Sequence, residues 1–420
     1  MHLLSKVPRM KKEKTKIIVL LGTLDTKGLE IGFVREKIQA RGHKTIVVDA
    51  GVLGQPQVKA DISREDVAQA GGKSLEELLR EAQESSDRMP IIQVMIAGAA
   101  QTVKNLYHRG KLDGLLSVGG SMGMAIGAGA AKGLPVGVPK LILGTHFYPQ
   151  YLGEADLTIM QSPTDIMGLN PVTNLALAQA AGAICAMTEE SGPMEKTRPL
   201  VAMTGLGVTT PAVMSLQKLL EEKGYDTVVF HGNSEAMDQL IDEGLIDGVL
   251  DFSPNELIRI FILEETPHRA SRLEPAGRKG LPQVIVPGSL DMIVLRMAKD
   301  AIPDRYRNRK IYLHGPHVTG VRTSREELRR LAGVVSEKAN RATGPLAVVF
   351  PRGGFSAIDR EGRAFYEPET NRAFLEGLQE NLKAGVEVIE VDAHLFDEDF
   401  LNEVARVYDE IAKKGGFHHG

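Results

Sequence analysis

Short apolar runs alternate with segments of helical spacing along almost the whole chain. Lys16 to Leu21 (KIIVLL) reads as a strand buried on both faces, because its apolar residues are continuous rather than alternating. Gly22 to Gly28 follows as a loop. A helix over residues 29–40 then carries Ile31, Val34 and Ile38 on one face, and Gly42 closes it. Lys44 to Asp49 (KTIVVD) is the next strand. This strand–loop–helix–strand unit predicts a parallel, doubly wound sheet. Ser74 with Glu77 predicts a capped helix over residues 74–85. Pro90 to Gly98 (PIIQVMIAG) reads as a further strand, with a helix from Thr102 to Arg109. Leu115 to Gly119 and Val138 to Gly144 read as two more strands.

After the polar stretch Thr188 to Arg198 the pattern starts again. Pro199 to Thr204 is a strand, Pro211 suits a first helical turn, and Tyr225 to Phe230 is the next strand. Gly42-His43-Lys44-Thr45 stands in the first half where Gly224-Tyr225-Asp226-Thr227 stands in the second. Leu112-Asp113-Gly114-Leu115-Leu116 likewise echoes Ile246-Asp247-Gly248-Val249-Leu250. The expected fold is therefore α/β, with two Rossmann-like subdomains, each a mostly parallel sheet flanked by helices. The expected divisions are a basic tail over 1–15, a nucleotide-binding subdomain over 16–187, a linker over 188–198 and a second α/β subdomain over 199–420.

Composition narrows the function. A net charge of −4 gives no basic surplus for nucleic acid, and the absence of Trp argues against stacking platforms. A single Cys185 excludes an internal disulfide and a cysteine-rich metal site. No apolar run is long enough to span a bilayer, and residues 1–16 lack the apolar core of a signal peptide, so a cytoplasmic protein is expected.

The chemistry concentrates where strands end in small residues, at 22–28, 97–101, 119–123 and 144–146. In an open parallel sheet these ends share one edge, where ligands bind. Gly119-Gly120-Ser121-Met122-Gly123, between a strand and a helix, suits close approach of a phosphate to backbone N–H groups. Gly22, Thr23, Asp25, Thr26, Lys27 and Gly28 offer a carboxylate, hydroxyls and an ammonium. Asp25 is a candidate ligand for Mg²⁺ or a ribose hydroxyl, and Lys27 a candidate for phosphate charge; the alternative is an ordinary capped turn. Gly98 joins them from the expected 97–101 loop. In the second half, Asp291 follows a Gly288-Ser289 turn, and His314 and His317 flank Gly315-Pro316. Arg322 pairs with an anion or is solvated. Arg352-Gly353-Gly354 with Ser356 forms a second candidate anion nest, and His231 ends a strand. No metal site is expected from the histidines, and no serine sits in a nucleophile elbow.

At GTLDTKG (22–28), SVGGS (117–121), LPVGVPK (134–140), AAGAI (180–184), TGLGVTTP (204–211), PQVIVPGSLDM (282–292) and HGP with VRT (314–323), the chain resembles the Tm-1-like ATP-binding domain family, also called UPF0261. The similarity runs over about residues 14–412. It implies a two-subdomain protein that binds ATP, with the nucleotide at Gly22–Gly28 and Gly119–Ser121, and that dimerises. The plant member, a tomato inhibitor of tomato mosaic virus replication, carries a fused TIM-barrel domain absent here, so a separate barrel protein is an expected partner. The chain departs from the family pattern at Gly232-Asn233-Ser234-Glu235, at Phe252-Ser253-Pro254-Asn255-Glu256 and at Thr145-His146-Phe147-Tyr148-Pro149. The expected function is ATP binding, with Mg-ATP-dependent phosphoryl transfer or ligation on a small acidic metabolite as the enzymatic version. Catalytic candidates are then Asp25, Lys27, Asp291, His314 and Arg352, brought together as the second subdomain closes over the first. The alternatives are a non-nucleotide enzyme for a phosphorylated or carboxylated metabolite, and a dimeric interaction protein.

Overall fold

A computed structural model describes residues 15–146, 156–192, 196–232 and 235–416. The basic tail and the departures at Phe147-Tyr148-Pro149 and Asn233-Ser234 lie outside the described residues. The chain divides into two compact units, residues 1–194 and 195–420. Both are α/β with parallel sheets flanked by helices, as the sequence pattern implies.

Unit 1 contains β1 (Ile17–Gly22), α1 (Leu24–Ala40), β2 (Lys44–Asp49), α2 (Arg64–Ala70), α3 (Leu75–Glu84), α4 (Met89–His108), β3 (Gly114–Gly119), α5 (Ser121–Lys132), β4 (Lys140–Gly144), β5 (Thr158–Gln161) and α6 (Pro171–Glu190). The strands lie in the order β2-β1-β3-β4-β5, all parallel. One core packs α1 and α6 on one face of the sheet; the other packs α2, α3, α4 and α5 on the opposite face. Both faces are covered, which is why Val19, Leu20 and Leu21 are all fully buried.

Three expectations are corrected. Residues 90–98 are not a strand but the first half of α4. Buried Ile91, Met95, Ala99, Thr102, Val103 and Leu106 recur at helical spacing across the whole element, and Pro90 sits in its first turn. The short window read the apolar run; the longer one carries the period. The 97–101 segment is therefore mid-helix and not a loop at the sheet edge. Second, α1 begins at Leu24 rather than at residue 29. Its start is capped from a distance by the Asp49 carboxylate, which accepts the Leu24 N–H at 3.0 Å. Third, α6 runs to Glu190, with Thr188 buried and donating to the Ile184 carbonyl, so the first residues of the expected linker are helical.

Unit 2 contains β6 (Leu200–Gly205), α7 (Thr210–Glu222), β7 (Asp226–His231), α8 (Glu235–Asp242), β8 (Gly248–Asp251), α9 (Glu256–Phe261), α10 (Glu274–Arg278), β9 (Gln283–Ile285), β10 (Met292–Leu295), α11 (Asp304–Arg307), β11 (Ile311–Gly315), β12 (Val318–Arg322), α12 (Arg325–Ala339), β13 (Leu346–Pro351), α13 (Pro368–Asn381), β14 (Glu387–Val391) and α14 (Glu398–Lys414). Its parallel sheet has the order β14-β13-β9-β8-β6-β7. A small antiparallel sheet, β10-β12-β11, is inserted after β9.

The repeat in the sequence is a repeat of interactions. Asp113 accepts the Ile17 N–H at 2.7 Å, and Asp247 accepts the Leu200 N–H at 2.8 Å. Each carboxylate thus ties the strand it precedes to the first strand of its own unit. Gly42 and Gly224, at φ +89° and +91°, end α1 and α7 in the left-handed conformation that a side chain resists.

Gly98 packs α4 against the end of α2. A Cβ there would fall on the Val67 carbonyl oxygen, with the Gly71 backbone nitrogen 3.0 Å away. Gly98→Ala should destabilise unit 1 by about 1–3 kcal/mol, the cost of overpacking against backbone. A lowered denaturation midpoint in urea is the expected readout, and an unchanged midpoint would show that α2 yields freely.

Candidate functional site

In a sheet of order 2-1-3-4-5 the chain leaves β1 first to one side and then to the other. The crevice opens where the order reverses, outside the carboxyl ends of β1 and β3. In unit 1 that point lies between Gly22-Thr23 and Gly119-Gly120. A cavity of about 370 Å³ is found there. Its walls come from four places: Thr23, Asp25 and Thr26 at the start of α1, the loop after β2, the first turns of α4, and Met122 and Ile126 of α5.

The polar groups at α1 are heavily committed. Asp49 is 1% exposed and accepts the N–H groups of Leu24 and Gly51 at 3.0 and 2.8 Å. Burial raises its pKa above the usual carboxylate range, while those two N–H groups pull the other way. Asp25 Oδ2 accepts the Gly54 N–H at 3.0 Å. Its Oδ1 is buried without a hydrogen-bond partner. A Cβ on Gly51 would lie 2.8 Å from that oxygen and 3.1 Å from Asp49 Oδ1, so the two carboxylates face one small space. Thr23 and Thr26 share a hydroxyl–hydroxyl hydrogen bond of 2.8 Å. Lys27 donates to the Ile166 carbonyl. Gly28 packs against Gln57, and Gly22 against Ile31.

The turn before α5 is different. Gly120 is the N-cap residue and brings no side chain to cap the helix. The first N–H groups of an α-helix lack intrahelical acceptors, and the helix dipole concentrates there. Gly119 is held tightly against Gly123, but a Cβ on Gly120 would meet nothing within 4 Å. Ser121 and Met122 are exposed in the first turn. Thus Thr23, Asp25, Thr26 and Met122 meet around one cavity, with Gly119, Gly120, Ser121 and Gly123 in the adjoining turn. Gly98 is buried between helices.

Unit 2 has the same reversal between β6 and β8, and fills it with its own side chains. Thr204 donates to Asp251 at 2.8 Å and accepts the Ser253 N–H at 2.9 Å. Thr209 and Ser253 join through their hydroxyls at 2.7 Å. Arg272, 1% exposed, pairs with Asp251 at 2.6 Å and with Glu256 at 3.2 Å. The second-half candidates are spread apart. His314 and His317 sit at the exposed tip of the β11–β12 hairpin. Arg352 lies on the surface and pairs with Glu390 at 2.5 Å. His231 ends the edge strand β7.

Asp291 and Arg322 do belong together, in the interior. Asp291 is fully buried and accepts the Ser356 hydroxyl at 2.6 Å. Arg322, 2% exposed, donates to the carbonyls of Phe365 and Asp291 and to the side chain of Asn371. Asp359 lies 3.9 Å from its guanidinium and accepts from Phe355 N–H and Asn371. This cluster ties the turn after β9, the turn after β13 and the end of β12 into one unit.

Residues 16–193 match the N-terminal domain, and residues 198–412 the C-terminal domain, of an uncharacterised protein family, UPF0261. The chain belongs to that family. It is 36% identical over 399 residues to a UPF0261 protein of Clostridium tetani, covering 93% of this chain and 98% of that one. A UPF0261 protein of Brucella suis is 31% identical over 406 residues, 95% of this chain and 96% of the other. The tomato ToMV resistance protein Tm-1(GCR237) is 32% identical over 321 residues, which are 72% of this chain and 42% of that protein.

In this UPF0261 chain the described residues hold no helix long and apolar enough to cross a membrane, and no group of three or more His, Cys, Asp or Glu side chains placed to hold a metal. Sequence reasoning missed Asp49, whose role depends on the spatial meeting of β2 with α1. It also missed Arg88, which lines the cavity from the start of α4. The strand assignment for 90–98 hid it.

Burial, and next the charge of Asp359, push Asp291 up to about 7 from its ordinary 3.8. The folded chain therefore keeps a proton that the unfolded chain releases from about pH 4 upward. Stability should fall as pH rises across that window, by at most about 1.4 kcal/mol per pH unit for one proton. Asp359 shifts the same way through burial. Asp291→Asn should flatten this slope in urea titrations from pH 4 to 8, and a slope identical to wild type would contradict the assignment.

Proposed function

We propose that unit 1 is a nucleotide-binding domain that takes ATP at the β1/β3 reversal. The observation that carries this reading is the uncapped first turn of α5 beside Asp25, around a single cavity at the carboxyl edge of the sheet. The N–H groups of that turn are suited to phosphate oxygens, and Gly120 leaves the space a phosphate needs. Asp49 already occupies the start of α1 and Lys27 is bound to Ile166, so the phosphates fall to α5 rather than to α1.

Magnesium fits this arrangement through Asp25. Its Oδ1 lacks a donor and faces a second carboxylate, a combination that a cation relieves. Mg²⁺ commonly takes one or two protein carboxylates and fills its shell with phosphate oxygens and water, so a three-ligand protein cluster is not required. When bound, it would neutralise phosphate charge. The resemblance of the chain's motifs to the Tm-1-like ATP-binding domain family supports the same reading. In unit 2, Asp291 is buried, His314 is at a hairpin tip and Arg352 is paired on the surface; the proposal therefore stops at binding.

The test is thermal or urea denaturation with millimolar Mg-ATP. A ligand at 100 times its dissociation constant adds about 2.7 kcal/mol to stability. Gly120→Val should change the stability of the free protein by no more than about 1 kcal/mol, since the new side chain enters open space at an N-cap position. It should abolish the Mg-ATP shift. No shift in wild type with any nucleotide would overturn the reading.

A further inference from the structure

The cavity beside the α5 turn has an unusual wall for a nucleobase. It is built from Val52, Ile91, Ile92, Met95, Met122 and Ile126, with Leu53 at its mouth. Among the described residues, no aromatic ring and no amide side chain lines it. Among these residues a purine finds no ring or amide plane on which to stack, and most of its surface would lie against aliphatic side chains. Unbranched methionines and branched aliphatic side chains instead suit a flexible hydrocarbon chain. Leu53 and Met122 are 59% and 44% exposed, so apolar surface continues to the mouth.

The charges are asymmetric. Arg88 lines the cavity, with its guanidinium held by the Ala82 carbonyl at 2.8 Å. Met122 brings to it the first turn of α5, which has no side-chain cap for its free N–H groups. Thr23 and Thr26 add hydroxyls. Asp25, the one carboxylate among the described lining residues, has one oxygen bound to the Gly54 N–H and the other turned toward Gly51 and Asp49. An occupant with an apolar body and an anionic head matches this distribution.

We propose that this cavity binds a short aliphatic chain ending in an anionic group, a carboxylate or a phosphate ester. The proposal rests on the reading of the α5 turn as an anion seat. It names the class of molecule that shares that seat or lies beside it: an aliphatic acid as second ligand next to the nucleotide, or an alkyl or acyl phosphate.

The experiment is isothermal titration of the full chain with butanoate, hexanoate and octanoate, and with butyl, hexyl and octyl phosphate, each with and without saturating Mg-ATP. Affinity should rise about fourfold for each added methylene until the cavity is full. Leu53→Gln and Met122→Gln, both at exposed positions that leave the fold intact, should remove most of this dependence. Arg88→Gln should weaken every member of the series about tenfold. Carboxylates that still bind under saturating Mg-ATP identify the chain as a second ligand. Alkyl phosphates that Mg-ATP displaces assign the chain to the phosphate ligand itself. Affinity independent of chain length in both series, or a dependence untouched by Leu53→Gln and Met122→Gln, would overturn the proposal. An intact chain-length series without any Mg-ATP shift would overturn the nucleotide reading and uphold this one.

Discussion

The carboxylate of Asp49 holds the carboxyl edge of unit 1 in place. It is buried at the end of β2, yet its hydrogen bonds go to Leu24 at the start of α1 and to Gly51 in the loop that walls the cavity. One side chain therefore fixes where α1 begins and which way the loop after β2 leaves the sheet. The loop is then laced to the same helix: Gly54 N–H and the Gln57 side chain both donate to Asp25, and Arg64 holds the Gly54 carbonyl. Desolvating a carboxylate is costly, and two backbone donors aimed at it offset that cost. A helix start without a local side-chain cap thus has its first N–H satisfied from the next strand, and the same carboxylate joins it to the cavity wall.

The two units solve one topological problem in two ways. Both sheets reverse strand order between their first and third strands, so both open a crevice at the carboxyl edge. Unit 1 leaves glycines at that point and a space beside them. Unit 2 puts Thr204, Thr209, Asp251 and Ser253 there and satisfies them against one another, with Arg272 beneath. A buried ion pair of this kind adds little net stability, but removing one member alone would strand the other's charge.

The fold class was legible because strands of a covered parallel sheet are continuous apolar runs, and each glycine-terminated helix announces the next one. The internal repeat was legible from the Asp-Gly before β3 and β8, where the same backbone clamp is made twice. What misled was local: residues 90–98 have the composition of a strand, and only their continuation to Leu106 exposes the helical period. The position of the candidate site was partly legible. Glycines 119 and 120 and Asp25 stand at the edge where strand-end chemistry belongs. Arg88 and Asp49 were hidden because their roles arise from contacts between elements distant in sequence. Arg322 reads as pairing with an anion or as solvated, since its sequence neighbours carry no sign of the Asp359 and Asn371 that surround it in the interior.

The paired clamps of Asp113 and Asp247 lie at the amino edges of their sheets, opposite the carboxyl edges where the strand order reverses. Matching positions such as Gly42 with Gly224 and Asp113-Gly114 with Asp247-Gly248 are of this kind. At the carboxyl edges Gly22 matches Gly205, but Gly119-Gly120 stands in unit 1 where Ser253-Pro254 stands in unit 2, and Asp49 where His231 stands. The backbone clamps that seat each strand recur in both halves, while the side chains at the strand ends differ.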